Sequence, residues 1–311
     1  MPCHNINHRR SRKRLPMPRA TAKYNSSPVL AVLLFIVALL LQCAAAQSGA
    51  AVRREPNQSW DGRRIVTLKG FGDYFISADH GQAQLIRPEG LGVNIVAVAE
   101  RVEGNKIWIK ANGEGDLPVG WVERGNAILL DDAIPYFTGL IKRDPKDWDA
   151  YLRLAEAEHA LNRRESAVAD YTRAIELHPD EPFLFLRRGR QWSTMNACPQ
   201  AAADFEKAAQ LNPVWAEAYN LAAGVYANCS DASYRDPAKA IALINHAIAL
   251  DVEHPTYLTV LALAYFRSDE IEKAVETQRQ ALESPRFPPA YREEATIQLR
   301  EYEKALAAHN H

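Results

Sequence analysis

The sequence predicts a multidomain chain in which a small all-β barrel precedes an all-α solenoid of stacked helical hairpins. A 34-residue period of small and aromatic residues runs through 148–288. One hairpin of that size cannot bury its own apolar face, so neighbouring hairpins must stack into a solenoid. Upstream, residues 60–130 alternate β-branched and aromatic side chains between glycines, a pattern typical of short strands.

The period defines four units: 148–181, 182–215, 216–254 and 255–288. Small residues at places eight, twenty and twenty-seven let two helix axes approach closely, and in units 1 and 2 an aromatic ring at place twenty-four fills the space beside them. Proline at place thirty-two ends the second helix, because proline lacks an N–H and biases the preceding residue away from helical angles. In chain order these places hold Ala155, Gly189, Ala223 and Ala262; Ala167, Ala201, Ala240 and Ala274; Ala174, Ala208, Ala247 and Ala281; Tyr171, Phe205, Ile244 and Gln278; and Pro179 and Pro213. Unit 3 needs five extra residues, which are expected between Asn228 and Ala238.

These residues resemble the tetratricopeptide repeat (TPR), and the resemblance implies more than the period does. Arrays of this kind bind peptides or partner proteins in a groove lined by the first helix of each unit, and have no catalytic activity of their own. Arg190 and Asn220 do not reproduce the Lys and Asn clamp that some arrays use for C-terminal carboxylates, so that ligand is not expected. The resemblance assigns partner binding to Leu152, Glu156, His159, Phe183, Leu186, Arg190, Asn220, Thr259, Leu263 and Phe266, with Asp149, Glu217 and Ala227 in the same groove.

Two arginines of unit 2 receive different roles. Arg188 stands at place seven, where family members with Arg-Gly often carry Asp-aromatic at places twenty-three and twenty-four. Arg188 is therefore expected to form an ion pair with Asp170 or Asp204. Arg190 stands at place nine, which faces the groove, and its guanidinium suits an acidic group of a partner.

The two ends of the array differ from its interior. Residues 131–147 match the second half of a unit, so the array begins with a half repeat that another element must cover. Residues 289–311 predict a capping helix, because their apolar residues form one stripe and their charged residues lie elsewhere. The stripe consists of Tyr291, Ala295, Leu299, Tyr302 and Leu306.

The barrel is predicted from strand candidates at 65–68, 93–98, 107–110 and 120–122. The pairing of Trp108-Ile109-Lys110 with Gly120-Trp121-Val122 resembles bacterial SH3-like domains. Trp108 and Trp121 are interpreted as core and rim packing. The resemblance leaves a second function open, in which the barrel docks on cell-wall material and the repeats recruit an enzyme.

The N-terminal region predicts export. Basic residues precede an uninterrupted apolar run at 29–41, and Ala44-Ala45-Ala46 follows, the order found in a secretory signal peptide. The run is shorter than the roughly 20 residues of a membrane-spanning helix. Residues 1–46 are therefore assigned as a signal peptide, with Met17 as an alternative start, and 47–59 as a linker. An uncleaved segment that anchors the protein in a membrane is the alternative to a periplasmic or extracellular protein.

Catalytic, metal and nucleic-acid sites are not predicted. The first 46 residues carry seven Lys or Arg and no acid, so the net charge of −1 leaves −8 on the rest of the chain, opposite to the basic face that nucleic-acid binding requires. Neither phosphate-binding nor nucleophile motifs occur, no histidines stand at metal-ligand spacing, and no cofactor is expected. Cys198 and Cys229, at the inter-helix turns of adjacent units, are candidates for a disulfide or for two buried thiols.

Overall fold

The structure is a computed structural model that describes residues 60–68, 75–77, 83–85, 96–111, 120–252 and 254–309. The predicted signal peptide at 1–46 and linker at 47–59 lie outside these residues. Seven strands and ten α-helices are found in the described parts of the chain.

The strands form one antiparallel sheet in the order β3-β2-β6-β5-β4-β1-β7. Trp60, Ile65, Ile107 and Val122 belong to its buried core. Among the described residues no pairing joins β3 to β7, so a small sheet is present, whereas closure into an SH3-like barrel stays a prediction. The strands are β1 (Arg64–Thr67), β2 (Phe75–Ser77), β3 (Ala83–Leu85), β4 (Val96–Glu103), β5 (Lys106–Ala111), β6 (Gly120–Glu123) and β7 (Ala127–Leu129).

The helices follow the sheet as one half hairpin, four hairpins and a terminal helix. Their first turns are set by local chemistry: the side chains of Asp147 and Asp236 accept from the backbone N–H groups of Ala150 and Lys239. The helices are α1 (Leu130–Arg143), α2 (Trp148–Ala160), α3 (Arg164–Leu177), α4 (Pro182–Thr194), α5 (Cys198–Leu211), α6 (Ala216–Asn228), α7 (Pro237–Leu250), α8 (Pro255–Arg267), α9 (Ile271–Glu283) and α10 (Pro289–His309).

The helix crossings lie where the small residues of the period predict them. Every alanine at places eight, twenty and twenty-seven is 0% exposed. Gly189 shows the reason most directly, since a Cβ there would lie 2.7 Å from the Phe205 ring. A larger side chain at these places would force the two helices of a hairpin apart.

The turns between the two helices of a unit are of two kinds. Units 1, 2 and 4 place Asn162, Asn196 and Asp269 in the left-handed region, with φ of 62°, 57° and 64°. Asn and Asp tolerate this conformation better than other non-glycine residues. Unit 3 lacks such a residue and instead carries its extra residues between α6 and α7, including a 3-10 turn at Ala232–Tyr234.

The sheet covers the open first end of the helical array. The buried guanidinium of Arg153 on α2 donates to the Thr67 carbonyl in β1 and, through its Nε, to Asp149 at 2.6 Å. The Arg64 side chain on β1 donates to the Ala160 carbonyl at the end of α2, at 2.6 Å. Helix α2 of unit 1 and strand β1 of the sheet are thus joined by two hydrogen bonds.

Helix α10 covers the other end. Gln278 stands where units 1 and 2 carry a ring, is 0% exposed, and donates from Nε2 to the Ala295 carbonyl of α10 at 2.9 Å. Tyr302 of α10 stacks on Phe266 with ring centroids 4.6 Å apart. No helix in the described part of the chain has the length and apolar character needed to cross a membrane.

Candidate functional site

The candidate site is the surface formed by the first helices α2, α4, α6 and α8, called here the inner surface. The ten predicted binding residues all lie on these helices, but they differ in exposure. Leu152, Glu156, Phe183 and Leu186 are buried, with Leu152 0% and Glu156 3% exposed, so these four are part of the packed interior in this structure. His159 and Arg190 are exposed, and Asn220, Thr259, Leu263 and Phe266 are half-buried.

Glu156 is buried because it is the centre of an ion-pair network. The Tyr171 hydroxyl donates to its Oε1 at 2.7 Å, and Arg187 Nε lies 3.2 Å from the same oxygen. Arg187 also lies over the Phe183 ring, 4.6 Å from its centroid. Burial and the neighbouring Glu156 charge hold the pKa of the Tyr171 phenol well above its usual range. The network joins units 1 and 2 and leaves Glu156 unavailable to a partner.

Arg190 also has a partner within the chain. Its Nη2 contacts Oε1 of Glu217 on α6, and the two side chains remain 44% and 33% exposed. The arginine predicted to bind an acidic group therefore spans units 2 and 3. A ligand carboxylate would have to compete with Glu217 or share the guanidinium, which has five N–H donors.

The predicted ion pair of Arg188 is confirmed, with Asp204 as the partner. Arg188 donates from Nε and Nη2 to the two carboxylate oxygens at 2.8 and 2.7 Å, and from Nη1 to Thr172 Oγ1 at 3.0 Å. Burial raises the pKa of the Asp204 carboxyl, and the guanidinium opposes that shift. Asp170, the equivalent residue of unit 1, has its pKa raised to about 6 by burial and by the charge of Glu158.

Beyond Glu217 on α6, the predicted binding residues of units 3 and 4 are all uncharged. The buried Oδ1 of Asn220 has no hydrogen-bond partner among the described residues. Thr259 Oγ1 donates to the Thr256 carbonyl at 2.7 Å, and Leu263 is half-buried one turn further along α8. Amide, hydroxyl and aliphatic groups thus succeed the ion pairs of units 1 and 2.

Cys198 and Cys229 form a disulfide between units 2 and 3, with their Cα atoms 6.0 Å apart. Equivalent places in stacked helices lie about 8–10 Å apart, which exceeds the span of a disulfide. The extra residues of unit 3 remove the difference by folding back, since Arg235 donates to the Cys229 carbonyl at 2.7 Å and Asp236 N–H to the Tyr226 carbonyl at 3.0 Å. In the described parts of the chain no cluster of His, Cys, Asp or Glu could hold a metal ion.

The sheet carries a second surface of interest. Trp108 on β5 and Trp121 on β6 are directly paired in register and pack edge to face, with centroids 5.2 Å apart. The Arg101 guanidinium lies 5.1 Å from the Trp121 ring centroid. Both indoles are half-exposed. They are rim residues, whereas the core of the sheet is formed by Trp60 and the aliphatic side chains around it.

Several solved structures resemble the chain in part. A MamA structure from Desulfovibrio magneticus RS-1 shares 22% identity, covering 50% of this chain and 86% of that one with a TM-score of 0.46. A TPR protein of Thermus thermophilus, TTC0263, shares 19% sequence identity, covering 56% of this chain and 90% of that one, with a TM-score of 0.42. The first TPR domain of Spaghetti (RPAP3), solved with the HSP90 peptide SRMEEVD, shares 20% sequence identity. The match covers 41% of this chain and 94% of that one, with a TM-score of 0.35. No curated protein matches the chain.

Family models identify the repeats directly. Two models described as tetratricopeptide repeat match residues 129–182 and 255–286. The first match spans the half repeat and unit 1, and the second spans unit 4. The chain therefore contains tetratricopeptide repeats, and proteins built from these repeats are in general non-catalytic scaffolds for protein interaction.

Proposed function

We propose that this chain is an exported, non-catalytic scaffold that binds a peptide or a segment of a partner protein along its inner surface. The observation that carries the proposal is the succession of accessible side chains on four consecutive first helices. His159 and Arg190 are exposed on α2 and α4, and Asn220 and Leu263 are half-exposed on α6 and α8. A polypeptide can bind such a row of ionic, amide and aliphatic side chains, because it carries charged groups, backbone amides and apolar side chains at regular spacing.

The experiment is site-directed photo-crosslinking in the native envelope. A photoreactive amino acid replaces Thr259, which is half-buried on α8, or Ala169, which is exposed on the second helix α3. The proposal expects a discrete crosslinked species from position 259 and none from position 169. Equal crosslinking from both positions would mean that the inner surface has no special role.

Export is the second element of the proposal. It rests on the basic residues, the apolar run at 29–41 and the alanines before Gln47. A disulfide between Cys198 and Cys229 supports it, because disulfides persist in oxidising compartments such as the periplasm and the cell exterior.

A second candidate function is docking on cell-wall material by an SH3-like sheet domain while the repeats recruit an enzyme. The half-exposed Trp108 and Trp121 pair favours it, since indole rings that are half-exposed can stack on a ligand. Sedimentation of the whole protein with purified peptidoglycan tests it. This function expects retention that is lost in Trp121→Ala and kept in Arg190→Gln, whereas the first function expects no retention.

A further inference from the structure

Helix α4 carries three arginines, and each of them pairs with a carboxylate on a different helix. Arg190 and its partner Glu217 are 44% and 33% exposed, so this pair lies on the inner surface in contact with solvent. The other two pairs belong to the packed interior, because none of their side chains is more than 18% exposed. These pairs are Arg187 with Glu156 and Arg188 with Asp204.

The contact between Arg190 and Glu217 uses one atom of each group. Arg190 Nη2 donates to Glu217 Oε1, and neither side chain makes another hydrogen bond in the part of the chain that the structure describes. Arg188, in contrast, donates from two nitrogens to both carboxylate oxygens of Asp204. A guanidinium has five N–H donors and binds a carboxylate most strongly through two parallel hydrogen bonds. A carboxylate that engages two donors would therefore bind Arg190 more strongly than Glu217 does.

Glu217 can leave Arg190 at little cost. Its side chain is 33% exposed, so the released carboxylate would be hydrated and not buried without a partner. Glu217 also stands in the first turn of α6, whose N-cap residue Trp215 provides no side-chain cap. The free N–H groups and the dipole at a helix N-terminus stabilise a carboxylate there. The ion pair with Arg190 is therefore one of two favourable states of Glu217.

We propose that Glu217 is an internal competitor of the ligand: its carboxylate occupies Arg190 in the free protein, and an Asp or Glu side chain of the bound polypeptide displaces it. The inference rests on the proposed function and names the residue that sets its selectivity. A carboxylate fits against this guanidinium, because that of Glu217 already does. Displacement is favoured over sharing, since two carboxylates on one guanidinium would repel one another. Apolar and cationic side chains offer Arg190 no acceptor and would leave Glu217 in place.

The competition lowers the apparent affinity for acidic ligands. Arg190 can bind a ligand only in the fraction of molecules in which Glu217 has left it, and the apparent dissociation constant rises by the inverse of that fraction. Because an exposed ion pair contributes little, the internal contact should weaken acidic ligands about two- to fivefold. Glu217 thus adjusts the affinity of the inner surface without closing it.

The probe is a set of C-terminally amidated fluorescent peptide pools in which one central position is Asp, Asn or Leu and the others are mixtures of uncharged residues. Fluorescence polarisation measures their binding to the whole mature protein. Glu217→Gln should bind the Asp pool about two- to fivefold more tightly than the unchanged protein does, and the Asn and Leu pools equally. Arg190→Gln should remove the preference for the Asp pool over the Asn pool.

Two further variants separate occupation of Arg190 from the overall charge of the protein. Glu217→Asp keeps the negative charge but shortens the side chain by one methylene, so it should bind the Asp pool more tightly than the unchanged protein and less tightly than Glu217→Gln. Glu176→Gln is the matched control, because Glu176 also forms an exposed ion pair, with Arg173, but lies on the second helix α3. Its binding of every pool should equal that of the unchanged protein.

The outcomes separate this inference from the proposed function. The role of Glu217 as a competitor would be overturned, with binding at the inner surface intact, if Glu217→Gln and the unchanged protein bind the Asp pool equally. The same holds if Glu217→Asp binds it no more tightly than the unchanged protein, or if Glu176→Gln gains as much as Glu217→Gln. Failure of every pool to bind any of these proteins would overturn both.

Discussion

Arg153 and Thr67 join the first helical hairpin to the sheet. The guanidinium, 2% exposed, donates to the Thr67 backbone carbonyl and is oriented by Asp149 on its own helix. A buried strand carbonyl and a buried arginine would each be costly alone, but they satisfy one another. The sheet is therefore part of the same folded unit as the first repeat.

Replacing Arg153 with Met should lower the free energy of unfolding by about 1.5–3 kcal/mol, because a hydrogen bond from a charged group is lost and the Thr67 carbonyl is left buried. Urea unfolding followed by circular dichroism measures the change. Arg173→Met is the control, since the ion pair of Arg173 with Glu176 is solvent-exposed and should contribute little. Equal stability of both variants would show that the Arg153 contact does not hold the sheet.

Asp170 predicts a pH dependence of stability. Its pKa is raised from 3.8 to about 6 in the folded protein, so between these values the folded state binds more protons than the unfolded state. Stability should therefore fall as the pH rises through this window and be highest below it. Asp170→Asn should remove this slope and stabilise the protein above pH 6 by about 1–2 kcal/mol, a figure reduced for partial exposure to solvent. Unfolding at several pH values tests it, and an unchanged slope in the variant would contradict it.

The disulfide should stabilise the junction of units 2 and 3. It closes a loop with a sequence separation of 31, for which loop-closure entropy gives about 3–4 kcal/mol. Cys198→Ser combined with Cys229→Ser should lower the melting temperature to that of the reduced protein. Mass spectrometry of the denatured, non-reduced protein after alkylation provides the direct check: two alkylated thiols would refute the bond.

Export predicts that the mature protein begins at Gln47. The apolar run at 29–41 is too short for a typical membrane span and precedes a small-residue cleavage site. N-terminal sequencing of protein recovered from the envelope measures this. A chain that keeps residues 29–41 would instead indicate the membrane-anchored form.

Arg190 and Glu217 allow binding and stability to be separated. Arg190→Glu places two carboxylates together and should weaken partner binding about ten- to a hundredfold if the guanidinium also contacts an acidic group of the partner. The exchange Arg190→Glu with Glu217→Arg restores the ion pair, so stability should recover while binding does not. The yield of crosslinking from position 259 measures binding. If the protein with both exchanged residues is crosslinked as fully as the unchanged protein, Arg190 does not contact the partner.

The hairpins could be predicted from the sequence because their determinants recur within 34 residues. Small residues are needed at the places where the two helices of a hairpin cross. Ala167 and Ala174 occupy two of these places in unit 1, and both are 0% exposed. Asn162, Asn196 and Asp269 recur at place fifteen and suit a positive φ, so the turns between paired helices also have a signal in the sequence. Strands β2, β3 and β7 were missed because runs of three residues carry too little periodicity.

The ion pairs and hydrogen bonds that join different units were decided by tertiary structure. Glu156 stands at a place that faces the groove in the repeat pattern, but Tyr171 and Arg187 bury it. Arg190 pairs with Glu217 but stays exposed, and the guanidinium of Arg153 donates to the Thr67 carbonyl of the sheet. The helices, their small-residue crossings and the terminal cap can be predicted from local sequence, since each depends on neighbours a fixed few residues apart. Which charges form internal pairs depends on distances between residues of different units, and those distances exist only once the hairpins have stacked.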